Sequence, residues 1–253
     1  MNSSPGKKIF VSVGCAVLLF ASLVFAGTGP TQKTQKPWTE WSQKEAEKVL
    51  SNSPWAQSQV DTDTAEMFYS PTNDPRARGR TQSTDERRLE TGATNQSVNI
   101  KFIVRFFSAR PIRQALVRLM ELKQKPEPDV MQRMHDFANV KSEESIIVTL
   151  SFETPEQRYS GALMQTMGSA ITATMKNETY LERDGKRLFL HEYIAPGQDG
   201  FGARFIFLRK VDDQFFISGN SGDVRFVAKY PNGLRVNRVF KLADMSYEGQ
   251  LEY

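Results

Sequence analysis

Cysteine and histidine are nearly absent from this chain, which has one Cys15 and two histidines, His135 and His191, in 253 residues. Cys15 lies inside an apolar N-terminal run that reads as an export signal, so the chain left after cleavage carries no thiol. That excludes a thiol nucleophile, an iron–sulfur cluster and a thiolate zinc site. It also excludes a disulfide, although an exported protein has access to one, so hydrophobic burial must hold the fold together. Two histidines without HExxH or paired spacing do not make the usual zinc constellation. Each reads as a structural or surface residue, and neither a metal nor another cofactor is expected.

Nucleotide and acyl-transfer loops are missing as well. Gly219-Asn220-Ser221-Gly222 lacks the G-x-S-x-G spacing of a nucleophile elbow and reads as a turn. Gly197-Gln198-Asp199-Gly200-Phe201-Gly202 has its glycines in the wrong order for a dinucleotide loop and precedes a strand pattern, not a helix. No phosphate-binding P-loop is found. Excess charge is scarce too: the net charge of +4 falls to about +2 once Lys7 and Lys8 are removed with a leader that has no acidic residue. The densest basic run, Arg76-Ala77-Arg78-Gly79-Arg80, is interspersed with Asp74, Asp85, Glu86 and Glu90 and reads as a solvated loop. A nucleic-acid partner, which needs a clustered basic face, is not expected.

The leader itself is the most informative positive feature. Lys7 and Lys8 precede an apolar stretch over residues 9–26, and Val24-Phe25-Ala26 before Gly27 has the small or compact residues that signal peptidase requires. The stretch exceeds the usual cleaved core of about 7–15 residues and approaches the lower limit of about 17 for a membrane span. Gly14, Ser12 and Ser22 dilute it and favour cleavage; an uncleaved anchor is the alternative. A lipoprotein signal at Cys15 fits poorly, because most of the apolar run follows that cysteine. The chain is thus expected in the periplasm or secreted, or else membrane-anchored through residues 9–26 alone.

What remains is roughly 225 residues, enough for one large domain or two small ones. Residues 27–37 form a polar tether. Residues 38–56 hold a short helix flanked by Trp38, Trp41 and Trp55, in which Ser42 and Glu45 make a capping box and Ala46, Val49 and Leu50 share a face. Three tryptophans around one short helix imply docking, onto its own domain or onto a partner. Residues 57–97 lack periodicity and read as a polar linker or strap.

Residues 98–253 read as an α+β globular domain. Val98, Ile100, Phe102, Val104 and Phe106 alternate as a half-buried strand. Ser108 is placed to cap a helix with Pro111 in its first turn and Ile112, Ala115, Leu116, Leu119 and Met120 as its stripe, leaving Arg110, Arg113 and Arg118 as a solvated face. A helix after Pro128-Asp129 carries Val130, Met131, Met134, Phe137 and Ala138. A strand over Ile146, Val148, Leu150 and Phe152 leads to a helix starting at Thr154-Pro155-Glu156, with Leu163, Met164, Met167 and Ile171 as core. Beyond Lys176 the pattern is β, punctuated at Asp184-Gly185, Asp199-Gly200, Asp212-Asp213, Asn220-Ser221-Gly222 and Pro231-Asn232-Gly233. A two-residue turn at Asp184-Gly185 pairs Glu182 with Arg187, Leu181 with Leu188 and Tyr180 with Phe189. Met245, Tyr247, Leu251 and Tyr253 alternate with polar residues as one last strand. The expected architecture is an antiparallel β-sandwich or curved sheet in the C-terminal half with flanking helices.

For chemistry, sequence leaves two classes. A non-enzymatic binding or structural module of the envelope comes first, with Trp38, Trp41, Trp55, Tyr193, Phe201 and Arg204 as candidate contact residues. The stretch from Tyr193 to Phe205 combines aromatics, a loop and an arginine, a mixture suited to an envelope protein or a glycan. A metal-free hydrolase is the alternative, because two carboxylates can meet in space from anywhere in sequence, as a glycosidase requires. Glu182, Glu192, Asp199 and Asp223 are its candidates.

The segments KPWTEWSQKEAEKVLSNSPWAQ, TYLERDGKRLFLHEY and FKLADMSYEGQLEY together resemble a group of uncharacterised exported proteins from soil bacteria of acidobacterial type. The resemblance spans most of the chain after the leader and implies export without implying an activity. Such proteins are sometimes compared with the GWxTD-domain family; this sequence has Pro37-Trp38-Thr39-Glu40-Trp41 and no Gly-Trp-x-Thr-Asp.

Overall fold

Alternating apolar residues build two antiparallel sheets that face each other across a shared core. The computed structural model describes residues 36–61, 100–155, 157–219 and 222–253. The expected leader, residues 62–97 of the expected strap, Val98, and the Asn220-Ser221 half of one turn lie outside the described residues. In chain order the elements are α1 (Gln43–Ser51), β1 (Ala56–Asp61), β2 (Ile100–Phe106), α2 (Arg110–Gln124), α3 (Pro128–Asn139) and β3 (Ser145–Glu153). Next come α4 (Gln157–Ser169), α5 (Thr172–Met175), β4 (Tyr180–Arg183), β5 (Lys186–Phe189), β6 (Glu192–Ile194) and β7 (Ala203–Leu208). The chain finishes with β8 (Lys210–Val211), β9 (Gln214–Phe215), β10 (Asp223–Lys229), β11 (Arg235–Lys241), β12 (Ser246–Tyr247) and β13 (Gln250–Leu251). One sheet has the order β1-β2-β3-β7-β6 and the other β11-β10-β4-β5. The fold is α+β, and strand dominates beyond Thr179.

Inward residues follow the alternation. Phe102, Val104 and Phe106 of β2, Ile146, Val148 and Leu150 of β3, and Phe205 and Phe207 of β7 meet Val224, Phe226, Val236 and Phe240 from the second sheet. Rings touch edge-on between the sheets, Phe106 with Phe240 at 4.8 Å and Phe205 with Phe226 at 5.1 Å. Each fully buried side chain of this size stabilises by about 1.5–3 kcal/mol. From the helices, Ile112, Leu163 and Met167 close onto the same core. The Asp184-Gly185 hairpin has the expected register, with Tyr180 opposite Phe189, Leu181 opposite Leu188 and Glu182 opposite Arg187. Both turn residues take positive φ, 50° and 74°, as the two-residue turn demands.

The N-terminal segment belongs to this body. Ser42 and Glu45 complete the capping box of α1. Trp38 and Trp41, with Ala46, pack on Ala115 and Val117 of α2 and Ala138 of α3. The Arg118 guanidinium donates to the Trp41 carbonyl at 2.8 Å and to Glu121 at 3.0 Å. Trp55 is buried in the main core, where its indole N–H donates to the Glu252 carbonyl at 2.8 Å. Residues 57–61, expected to begin the strap, are most of β1 and pair with β2 from Gln57 opposite Val104 to Asp61 opposite Ile100. Polar Gln57, Ser58 and Gln59 hid that strand; the Gln59 side-chain amide instead bonds the backbone of Arg235 and Asn237 on β11.

Several local expectations are corrected. Ala109, not Ser108, is the N-cap of α2, and the Ser108 hydroxyl accepts from the Ile147 amide at 3.1 Å. The start of α2 is held by Glu252, whose carboxylate takes the Arg110 amide at 3.3 Å and the Arg110 side chain at 2.6 Å. Arg110, Arg113 and Arg118 therefore do not form a solvated face; Arg113 is buried and donates to the Ser108 and Val140 carbonyls. Long side chains reached backbone acceptors that a helical wheel does not register. Met164 and Ile171, read as core, are exposed: Met164 lies on α4 beside buried Leu163, and Ile171 falls between the end of α4 at Ser169 and the start of α5 at Thr172. The final strand is a small hairpin: Glu248 and Gly249 have φ 51° and 75° and fold β13 back on β12. Among the described residues no helix is long and apolar enough to cross a membrane.

Candidate functional site

Gly202 fixes a loop that brings partly exposed aromatics together. Its φ is +79°, and a Cβ there would collide with the Leu150 carbonyl of β3, so only glycine lets the loop before β7 lie this close to the sheet. Just upstream, Asp199 accepts the Phe201 amide through Oδ1 at 3.1 Å and pairs with Arg204 through Oδ2. Arg204 stands on the outward side of β7, its guanidinium carbon 5.4 Å from the Phe201 ring centre. Phe201 in turn packs on Phe107, with centroids 5.1 Å apart and planes tilted by 54°.

Phe107 follows Phe106, the last residue of β2; half-buried, it packs partly on the main core while its amide donates to the Ile147 carbonyl at 2.7 Å. It touches Phe137 of α3 at 6.0 Å with a 43° tilt. Arg113 lies 5.9 Å from the Phe137 ring and anchors the end of α3 through the Val140 carbonyl. The result is a ridge of three rings in the order Phe137, Phe107, Phe201. Phe137 is 42% exposed, and the other two are half-buried. Half-buried Ile147 and Ile206, a cross-strand pair on the outward side of β3 and β7, carry the apolar surface onward to exposed Leu208.

Of the sequence candidates, Phe201 and Arg204 meet here. Tyr193 does not: it lies on the opposite side of its sheet, donates its hydroxyl to the Met167 carbonyl at 2.7 Å and lies 3.4 Å from the Tyr230 hydroxyl. Burial pushes its pKa up to about 12 and raises that of fully enclosed Tyr230 well above the ordinary tyrosine value. Trp38, Trp41 and Trp55 are buried among the chain's own residues. His191 is exposed, and His135 packs on the Trp38 ring at 4.8 Å while its Nε2 contacts Glu121.

The candidate carboxylates are dispersed. Glu182 pairs with Arg187 at 3.1 Å and lies 3.9 Å from Arg225. Asp199 pairs with Arg204, while Glu192 and Asp223 are exposed on β6 and β10. Buried Glu252 and nearly buried Glu121 each have an arginine partner, Arg110 and Arg118. Burial, the largest single influence, works against the charge on Arg110, but its hydrogen bonds and attraction to Glu252 and Glu248 together outweigh it and raise its pKa. Among the described residues no three His, Cys, Asp or Glu gather as a metal site.

Phe107 and Phe137 were not singled out from sequence. Phe107 breaks the alternation after Phe106, which is a signal of an outward ring; Phe137 sits beside Ala138 and passes for the core stripe of α3. The ridge holds no nucleophile–base pair. It offers three partly exposed rings with Arg113 and Arg204 beside them, an apolar continuation and one acceptor–donor pair, which is chemistry for contact. Comparison with protein families, with curated proteins and with solved structures returns no match.

Proposed function

We propose that this chain is an exported, non-enzymatic binding module of the bacterial envelope, and that the Phe137–Phe107–Phe201 ridge is its contact surface. The observation that carries this reading is the ridge itself: three touching rings, one of them 42% exposed, held in place by Gly202, Arg113 and the Asp199–Arg204 pair. Holding aromatics outward costs burial that the core would otherwise gain, and contact surfaces are where such rings concentrate. The leader supports the compartment, since residues 9–26 followed by Gly27 suit cleavage and release to the periplasm or beyond.

Two measurements test it. N-terminal sequencing of the protein from envelope fractions should begin at Gly27; an intact Met1 peptide in membranes would support the anchor instead, and recovery from cytosol would end the export reading. A photo-crosslinking residue at Val140, 60% exposed beside the ridge, should capture envelope material in intact cells. The same residue at Ile171, 57% exposed on the α4–α5 junction, should not. Equal capture from both positions would contradict the assignment of the ridge.

A further inference from the structure

We propose that the outward face of the second sheet docks on a membrane surface rich in anionic phospholipid headgroups, by a contact independent of residues 9–26 and of the ridge. Its strands send Leu181, Leu188, Val224, Phe226, Val236 and Phe240 into the core, so alternation places the residues between them on the outside. The register sets those outward residues in rows across the strands. Val239, Arg225, Glu182 and Arg187 share one row, and Asn237, Val227, Tyr180 and Phe189 share the next. Arg235 and Lys229 begin a third row, with Glu178 at 3.6 Å from the Lys229 ammonium. Lys241 and Asp223 face each other at the opposite end.

Charge complementarity names the occupant. Arg187, Arg225, Lys229, Arg235 and Lys241 are all exposed, and against these five cations stand three carboxylates, Glu178, Glu182 and Asp223. Glu182 serves two arginines, Arg187 at 3.1 Å and Arg225 at 3.9 Å. Among the described residues Arg235 and Lys241 have no ion-pair partner. The surplus is spread and not gathered: the rows of Arg225 and Lys229 are four residues apart on β10, about 13–14 Å. One small anion cannot bridge that gap, whereas mobile headgroups distribute themselves beneath both rows. Between the rows Arg187 covers the Tyr180 ring at 4.4 Å, and Phe189, 49% exposed with its ring 5.9 Å from that of Tyr180, is the side chain left to enter the interface. An aromatic ring among cations suits the headgroup zone, where rings settle at the acyl boundary and cations meet phosphates.

The test uses the chain after leader removal and flotation with two kinds of vesicle, phosphatidylcholine alone and an equal mixture of phosphatidylcholine with phosphatidylglycerol. Flotation should occur with the mixture only and fall away as salt is raised, since screening weakens attraction between exposed charges. Arg225→Gln and Arg235→Gln should each lower affinity for the mixture about fivefold, and together about 25-fold, with the melting temperature unchanged. Lys229→Gln should give the same single step if either arginine variant fails to fold. Phe189→Ser should lower affinity and leave the salt dependence intact. Lys123→Gln, which removes an exposed cation on α2, should change nothing. Equal flotation with both vesicles, none with either, or affinity that survives the double change overturns the proposal. So does capture of soluble polygalacturonate in preference to the mixed vesicles, which would give the face to an acidic polymer. Crosslinking from Val140 reports the ridge alone, so failure there and failure here are read separately.

Discussion

Glu252 concentrates more of the fold's polar contacts than any catalytic-looking residue. Its carboxylate holds the first turn of α2 through Arg110, and its carbonyl takes the Trp55 indole. Removing that carboxylate leaves the Arg110 guanidinium with only exposed Glu248 as an acidic partner and brings Arg113 closer to unrelieved repulsion from Arg110 and Arg209. Glu252→Ala should lower unfolding free energy by about 3 kcal/mol in urea titration, against less than about 0.5 kcal/mol for exposed Glu192→Ala. Equal stability of the two variants would remove Glu252 from its structural role. Gly202→Ala, forced against the Leu150 carbonyl at positive φ, should cost about 2 kcal/mol or more and displace Phe201, read as a loss of photo-crosslinking from Val140 beyond the loss of stability. The buried tyrosines set an alkaline limit. Tyr193 and Tyr230 ionise higher in the folded chain than the ordinary value of 10.0, and burial is the main cause. The unfolded chain therefore loses protons first, so the stability these groups contribute is full below pH 10 and falls as pH rises through about 12. Ultraviolet titration should show these hydroxyls ionising together with unfolding, and Tyr193→Phe should flatten the decline.

At the scale of elements, α1 offers the opposite pH dependence. The Ser42 amide and hydroxyl hold the Glu45 carboxylate and lower its pKa from 4.5 to about 2. Its contribution is present above pH 4.5 and disappears as pH falls through about 2. Tryptophan fluorescence, which reports Trp41 beside this cap, should shift over that acid window in the wild type and lose that component in Glu45→Gln. The capping box was legible in sequence because it is local, as was the Asp184-Gly185 hairpin, where turn type alone dictates which residues face each other. β1 was not legible, since its polar residues find partners on β11, far away in sequence. The Glu248-Gly249 turn hid inside a pattern whose alternation survives the reversal of direction. Arg113 looked solvated because a helical wheel does not show that the Ser108 and Val140 carbonyls converge on it. The ridge was half visible: Phe201 and Arg204 lie three residues apart across the start of β7, but Phe107 and Phe137 join them only through ring contacts between segments distant in sequence.

For the molecule as a whole, the three tryptophans and the ridge are two aromatic surfaces with opposite fates. The tryptophans tie the N-terminal segment to α2, α3 and the C-terminal hairpin and are spent on the interior. The ridge faces out. On the proposed reading, the contact runs through residues 137–140 and 199–204 and not through residues 38–55. Hydrogen exchange read by mass spectrometry, with and without solubilised envelope extract, distinguishes the two directly. Added protection should concentrate in peptides covering 137–140 and 199–204, with residues 38–55 already protected and unchanged. Protection gained at 38–55 and none along the ridge would contradict it.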